Sequence, residues 1–180
     1  LDTDRNKVHL ARKFGIISNQ IVDNVDPFDW CIDQNKGNEI DISIITAATK
    51  SSEPIDLAAR LCRKRGKIIL VGVSGMELKR ELFYKKELSF QVSCSYGPGR
   101  YDSIYENSNE YPIGFVRWTA KRNFEAILNA FSNDQISIEN LVSDKLAFED
   151  VGDSFSKLIS RSSTLGLILN YQNKKNITQK

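Results

Sequence analysis

Asp2 lies directly ahead of a helix-forming segment. A carboxylate after a strand and before a helix is what a dinucleotide fold uses to accept hydrogen bonds from ribose hydroxyls. An acid at a helix N-terminus is also stabilised by the helix dipole, so a capping role stays open beside the ribose role. Two other stretches have chemistry-bearing spacing: Thr46-Ala47-Ala48, and Val71-Gly72-Val73-Ser74-Gly75. Both close short apolar runs, and in a doubly wound sheet ligands bind beyond the carboxyl ends of such strands. Small residues there let a flat ring lie against backbone, or else they only make tight turns. The Gly-x-Gly-x-x-Gly loop that would cradle a pyrophosphate is expected about 20 residues before the acid, which places it before Leu1. Metal chemistry has little to work with. Cys31, Cys62 and Cys94 are widely separated, His9 is the single histidine, and no Cys-x-x-Cys or His-x-x-x-His spacing occurs. The cysteines are therefore read as structural buried thiols and His9 as a solvated side chain. Arg100, Tyr101, Tyr105, Tyr111 and Trp118 put a guanidinium and several rings in one excursion, suited to a sugar or substrate mouth or equally to a dimer contact.

The elements that must position these residues follow from periodicity. Thr3 and Asp4 are N-cap residues for a helix carrying Val8, Ala11 and Phe14, stopped by Gly15. Ile16 to Val22 reads as a short strand. Asp26-Pro27 opens a helix with Phe28, Cys31 and Ile32 on one face, ended by Gly37. Ile42 to Ala48 reads as a strand buried on both faces of a parallel sheet. Ser52 and Pro54 start a helix whose stripe is Ile55, Ala58, Ala59 and Cys62, with Arg63-Lys64-Arg65-Gly66 as its cationic last turn. Lys67 to Val73 follows as a strand, so Ile42 to Val73 is a βαβ crossover with a parallel pair. The basic run from Arg60 to Lys67 is read as a solvated helix end. Alternation from Glu87 to Ser95 predicts a strand near an edge, with Leu88, Phe90, Val92 and Cys94 inward. Thr119 caps a helix with the stripe Phe124, Ile127, Leu128 and Phe131; a further helix spans Glu149 to Ile159, and Thr164 to Tyr171 closes as a strand.

Composition bounds the classes. The 180 residues hold 25 basic and 23 acidic side chains for a net charge of +2, with 41% hydrophobic and 27% charged residues. Disordered and fibrous chains are excluded by that balance, and bulk charge makes no case for nucleic acid or an anionic membrane. No apolar run approaches the roughly 20 residues of a membrane helix. Sparse cysteine suits a reducing compartment, hence a cytoplasmic location. The chain opens on Leu1 with neither a charged nor an apolar leader, which suggests a piece of something longer rather than a secreted protein.

Leu1-Asp2 to Phe14-Gly15, Glu39 to Ala48, Gly66 to Val73 and Leu141 to Asp150 through Leu169-Asn170-Tyr171 resemble successive segments of the zinc-type, medium-chain alcohol dehydrogenases. Within that superfamily, Arg80 to Leu88, Ser95 to Tyr101 and Tyr111 to Thr119 are similar to the dehydrogenase half of two-domain oxidoreductases of polysaccharide biosynthesis, in which a Gfo/Idh/MocA-like domain follows. The resemblance implies an α/β fold: a partial Rossmann sheet, doubly wound and parallel, lacking its first βα unit, with an α+β return segment. The implied divisions are 1–132 for the NAD(P)-binding part, with the excursion at about 96–118, then 133–171 for the return segment and 172–180 for a tail.

The implied activity is hydride transfer between nicotinamide and an alcohol or carbonyl, sugar-related, with NAD preferred because a carboxylate at Asp2 repels a 2′-phosphate. The implied cofactor residues are Asp2, Lys7, Thr46, Ala47, Val71, Gly72, Val73, Ser93 and Ser95. No catalytic or metal-binding residue is implied within the chain, and the ligands of any zinc in the parent would precede Leu1. Gly166 stands where many relatives carry a basic residue near the pyrophosphate. The implied partners are a small-molecule substrate, a preceding GroES-like domain, a following Gfo/Idh/MocA-like domain and a homo-oligomer, with neither nucleic acid nor membrane. By itself the chain is expected to be inactive. In the strand order of such a sheet, Ile16 to Val22 and Ile42 to Ala48 are separated by two strands, so the first forty residues are expected to be loosely placed and Ile42 to Cys94 to hold together. The alternative is a non-catalytic scaffold or oligomerisation module.

Overall fold

A computed structural model describes residues 1–107, 109–152, 154, 156, 160 and 164–171. Helix α1 (Arg5–Lys13) begins where Asp4 accepts a hydrogen bond from the Asn6 N–H and ends before Gly15, whose φ is +74°. The next segment departs from the strand expected over Ile16 to Val22. It makes only a parallel bridge between Asp2 and Gln20, and Ile16 and Ile17 are exposed. A β-branched run supplies strand propensity, but propensity alone makes no strand, and among the described residues only Gln20 of this run finds a bridging partner. Helix α2 (Phe28–Gln34) starts one residue after Pro27, with the Asp26 carboxylate accepting from the Phe28 N–H.

The core is built on β1 (Ile40–Ile45), α3 (Glu53–Leu61), β2 (Cys62–Leu70) and β3 (Ser89–Val92). Their sheet has the order β1-β2-β3, and both pairings are parallel, with Ile45 beside Leu70 and Leu70 beside Val92. The crossover through α3 is therefore the βαβ unit that the sequence predicts. Pro54 sits in the first turn of α3, and Ile55, Ala58, Ala59 and Leu61 form its buried stripe. Of that stripe, Ile55, Ala58 and Ala59 meet Ile45, Cys62, Ile68 and Leu70 of the sheet, with Leu82, Phe83, Leu88 and Phe90 packed against them. Ile55 and Ile68 are fully buried, and each contributes about 1.5–3 kcal/mol of transfer free energy. Helix α2 packs on α3, and Arg60 both pairs with Asp26 and lies over the Phe28 ring, so part of the first forty residues is tied to this core.

Three expectations about this unit are corrected. Helix α3 stops at Leu61, because Cys62 turns to extended backbone at φ −67° and ψ 137°. Residues 63–66 therefore belong to β2 and not to a helix end. Strand β1 is not buried on both faces: Ile42 and Ile44 are 53% and 62% exposed, since α3 covers the Ile45 face and nothing among the described residues covers the other. In β3 the inward residues are limited to Phe90, next to Leu88; Val92 and Cys94 are exposed. The strand does lie at the sheet edge, as expected.

Short helices α4 (Arg80–Tyr84) and α5 (Ser103–Glu106) flank β3, and α6 (Ala120–Ser132) starts where buried Thr119 accepts from the Arg122 N–H. The apolar stripe of α6 faces largely outward: Phe124, Ile127 and Leu128 are about half exposed or more. Strands β4 (Val142–Ala147) and β5 (Gly166–Asn170) form a separate parallel pair. The helix expected over Glu149 to Ile159 shows its first turn as a 3-10 segment at Phe148–Asp150, and Phe155, Leu158 and Ile159 lie outside the described residues, as does the tail after Tyr171. Among the described residues no helix is long and apolar enough to cross a membrane.

Candidate functional site at the carboxyl ends of the strands

Parallel pairing places the carboxyl ends of β1, β2 and β3 side by side, and the residues after them form a common rim. Beyond Ile45 and Leu70 the backbone stays paired: the Val71 and Gly72 N–H groups both donate to the Ile45 carbonyl at 2.9 Å, and Val73 N–H donates to Ala47 O at 3.0 Å. Ala48 and Val73 form a further parallel bridge, with Thr49 N–H donating back to Val73 O. Thr46, Ala47, Val71, Gly72 and Val73 are thus brought together. Thr46, Ala47, Val71 and Val73 are exposed, so the rim presents small and branched apolar groups over ordered backbone. Glycine at 72 is required by close approach: a Cβ there would meet Ala47 O at 2.2 Å and the Thr46 carbonyl carbon at 2.6 Å. Such an approach keeps the surface flat, the shape against which a planar ring can lie.

A latch holds the two loops of the rim. Gly75 N–H donates to Ser51 O at 3.1 Å, Ser52 Oγ accepts from the Glu77 N–H at 3.0 Å, and Lys79 pairs with Asp56 at 2.5 Å. Hydrogen bonding to the Asp56 carboxylate, then its charge, pushes the Lys79 ammonium above its ordinary pKa. Residue spacing reads Ser52 as a helix opener and gives no sign of this second role, because its partner is 25 residues away. Ser93 joins the rim through its N–H, which donates to Leu70 O at 2.8 Å; Ser95 follows it, exposed.

Asp2 and Lys7 lie on the other parallel fragment, and no hydrogen bond or ion pair links them to the rim or to each other among the described residues. Asp2 is positioned by its backbone, with its N–H donating to Asn19 O and its carbonyl accepting from Ile21 N–H. Its Oδ1 accepts from the Asp4 N–H at 2.9 Å, while Asp4 is the residue that caps α1. Capping is thus divided between two acids, and Asp2 Oδ2 keeps its acceptor capacity. Lys7 is exposed on α1. His9 is exposed as expected, beside Arg5 and Arg12 in a small cavity of about 350 Å³.

The excursion after β3 is pinned to α6. Arg122 donates to Val116 O at 2.6 Å and to Tyr111 O at 2.8 Å, and Asn123 donates to Tyr96 O. Tyr105 and Tyr111 stack at 3.7 Å, and the Tyr111 hydroxyl bonds the Asp102 carboxylate. Partial burial, then that bond, raises the phenol's pKa. Arg100 pairs with Glu106 and lies over Tyr101. Tyr101 and Trp118 remain exposed, whereas Tyr105 and Tyr111 spend their faces on each other. One residue departs from expectation. Cys94 is exposed rather than buried, since β3 ends at Val92 before reaching it. At Gly166 a Cβ would lie 2.7 Å from Leu141 O, so the start of β5 leaves no room for a side chain. No group of three His, Cys, Asp or Glu side chains able to hold a metal occurs among the described residues.

No family model and no curated protein matches the sequence. Among solved structures, the alcohol dehydrogenase TADH from Thermus sp. ATN1 superposes with a TM-score of 0.66 at 16% identity, over 95% of this chain and 42% of that one. A short-chain alcohol dehydrogenase from E. coli CFT073, complexed with cofactor NADH, gives 0.63 at 18% identity over 94% and 43%. The 2R,3R-butanediol dehydrogenase from Bacillus subtilis gives 0.64 at 15% identity over 93% and 41%. The chain spans little more than two fifths of these structures' length, and it shares their fold: an α/β unit with a parallel sheet that matches part of the medium-chain dehydrogenase architecture.

Proposed function

We propose that this chain is the cofactor-binding portion of an NAD-dependent, medium-chain-dehydrogenase-like oxidoreductase that moves a hydride between nicotinamide and an alcohol or carbonyl, within a polysaccharide-biosynthesis enzyme of two domains. The observation that carries the reading is the rim at the strand carboxyl ends, where Gly72 lies against the Thr46–Ala47 backbone in a fold shared with dehydrogenases. Thr46, Ala47, Val71, Gly72 and Val73 would hold the nicotinamide half, and Ser93 and Ser95 would flank it. Asp2 would accept from the adenosine ribose with Lys7 beside it. The cofactor supplies the hydride chemistry when bound, and the chain's residues would position it. The sequence contains no Gly-x-Gly-x-x-Gly, so the pyrophosphate cradle, the substrate-binding groups and any zinc ligands would lie outside these residues, and the chain alone would be inactive. The test is a fluorescence titration of the chain with NADH and NADPH. Saturable NADH binding, weakened about tenfold by Asp2→Ala and weaker for NADPH, is expected for a ribose-binding carboxylate. Equal affinity in Asp2→Ala would remove Asp2 from the site.

A second reading, as an oligomerisation module, is favoured by the outward stripe of α6 and by Phe115, 90% exposed in the excursion. Light scattering decides it: a concentration-dependent mass abolished by Leu128→Glu supports assembly through α6, and a constant monomer mass opposes it.

A further inference from the structure

The basic run that periodicity assigns to a solvated helix end has a different place in the fold. Lys64 and Arg65 lie early in β2, and Lys85, Lys86 and Glu87 immediately precede β3, so all five gather at the amino ends of the sheet. With Arg80 and the Phe83 and Tyr84 rings of α4 they line an open cavity of about 780 Å³. At about 3.3 Å per strand residue, the six steps from Arg65 to Val71 put this groove roughly 20 Å from the rim at the carboxyl ends.

Three features separate the groove from an ordinary solvated face. Its cations outnumber its carboxylates five to one. Lys86 is committed internally, donating to Glu39 and to the Arg60 and Cys62 carbonyls at 2.7 Å each, and so anchors the floor. The others are free or nearly so. Arg65 meets Glu87 only at 3.8 Å with both side chains more than three quarters exposed, and no ion pair holds Lys64, Lys85 or Arg80 among the described residues. Arg80 instead lies 4.1 Å from the Tyr84 ring centre, leaving its charge available. The backbone is also set unusually: Arg65 and Glu87 have φ of +60° and +52°, and Arg65 N–H donates to Lys86 O at 2.6 Å. Side-chain-bearing residues seldom adopt that conformation, and here two of them do so across one turn-to-strand contact.

We infer that this groove binds a phosphorylated small molecule carrying several anionic groups. Lys64 and Lys85 would act as point charges, Arg65 and Arg80 as forked donors to phosphate oxygens, and the exposed Tyr84 ring as an apolar side wall. The volume is large enough for a nucleotide-sized ligand. The inference does not depend on the cofactor reading.

The experiment is isothermal titration of the 180-residue chain with tripolyphosphate in about 150 mM salt, where surface attraction is screened beyond about 8 Å. Saturable one-to-one binding is expected, weakened about tenfold by Arg65→Ala and Arg80→Ala combined. It should be unchanged by Lys121→Ala on α6 or by Asp2→Ala, so the groove and the cofactor reading can fail separately. Lys64→Gln with Lys85→Gln provides a second pair should the first unfold, and it is expected to weaken binding likewise. Competition by a nucleoside triphosphate at least as strong as by tripolyphosphate supports the assignment. Absence of binding at millimolar tripolyphosphate would overturn it, as would equal weakening by Lys121→Ala. Stronger competition by a single-stranded oligonucleotide would overturn the small-molecule assignment.

Discussion

Substitution of Gly72 by valine tests whether the rim is held by backbone contact. The new Cβ would stand 2.2 Å from Ala47 O, more than an ångström inside ordinary van der Waals contact, and the obstructing atoms are backbone and cannot rotate away. Relief requires Val71 to Val73 to withdraw from β1, which breaks the bonds from the Val71 and Gly72 N–H groups to Ile45 O and from Val73 N–H to Ala47 O. At about 1 kcal/mol net for each of the three lost bonds, with about 1–2 kcal/mol of residual strain, the expected loss is about 4–5 kcal/mol. With a urea dependence of about 2 kcal/mol per molar for a chain of this size, the midpoint falls by roughly 2–2.5 M. Gly37→Ala is the internal comparison: its φ is +82° but no atom lies within 4 Å, so only conformational strain of about 1 kcal/mol is expected. Urea unfolding followed by circular dichroism reads both. A Gly72→Val midpoint within about 0.5 M of the parent, or one no lower than that of Gly37→Ala, would refute the close-contact argument.

Two further outcomes follow from ionisation. The Arg60 side chain first, and the Phe28 N–H second, hold the Asp26 carboxyl below its ordinary pKa. A carboxylate lowered in the folded state stabilises above its unfolded pKa and loses that contribution as pH falls through the folded value. Asp26→Asn is therefore expected to flatten the decline of the urea midpoint in the acid range below the usual carboxylate pKa; an unchanged acid limb would deny the pair a role. Burial raises the Cys62 and Cys31 thiols, whereas Cys94 is exposed. Thiolate is the reactive form, so alkylation at neutral pH followed by mass spectrometry should modify Cys94 first and Cys62 last, and early labelling of Cys62 would contradict the core.

Much of the fold was legible in local pattern. The stripe Ile55, Ala58 and Ala59, the Pro54 start and the apolar runs on either side specify a βαβ unit, because periodicity and handedness are properties of the chain itself, although the stripe ends on Leu61 and not on Cys62 as expected. The capping residues Asp4 and Thr119 were readable for the same reason: a cap is satisfied by an N–H two or three residues on. The candidate rim was legible as small residues after apolar runs. That Gly72 is compelled to be glycine was not, because the obstructing carbonyl belongs to Ala47, a strand away.

Outcomes set by neighbours distant in sequence belong to the tertiary structure alone. Ile42 to Ala48 has the composition of a strand buried on both sides, yet burial depends on which layers are present, and only the α3 face is covered among the described residues. Arg63, Lys64 and Arg65 have the charge of a helix C-terminus, but β1 and the turn before β3 draw them into β2 through the Ile40–Cys62 pairing and the Arg65–Lys86 bond. The sequence by itself determined where helices and strands alternate and which residue types stand at their ends. Tertiary structure decided which faces are covered and which charges share a groove, since long-range pairing energies outweigh the small differences in local propensity.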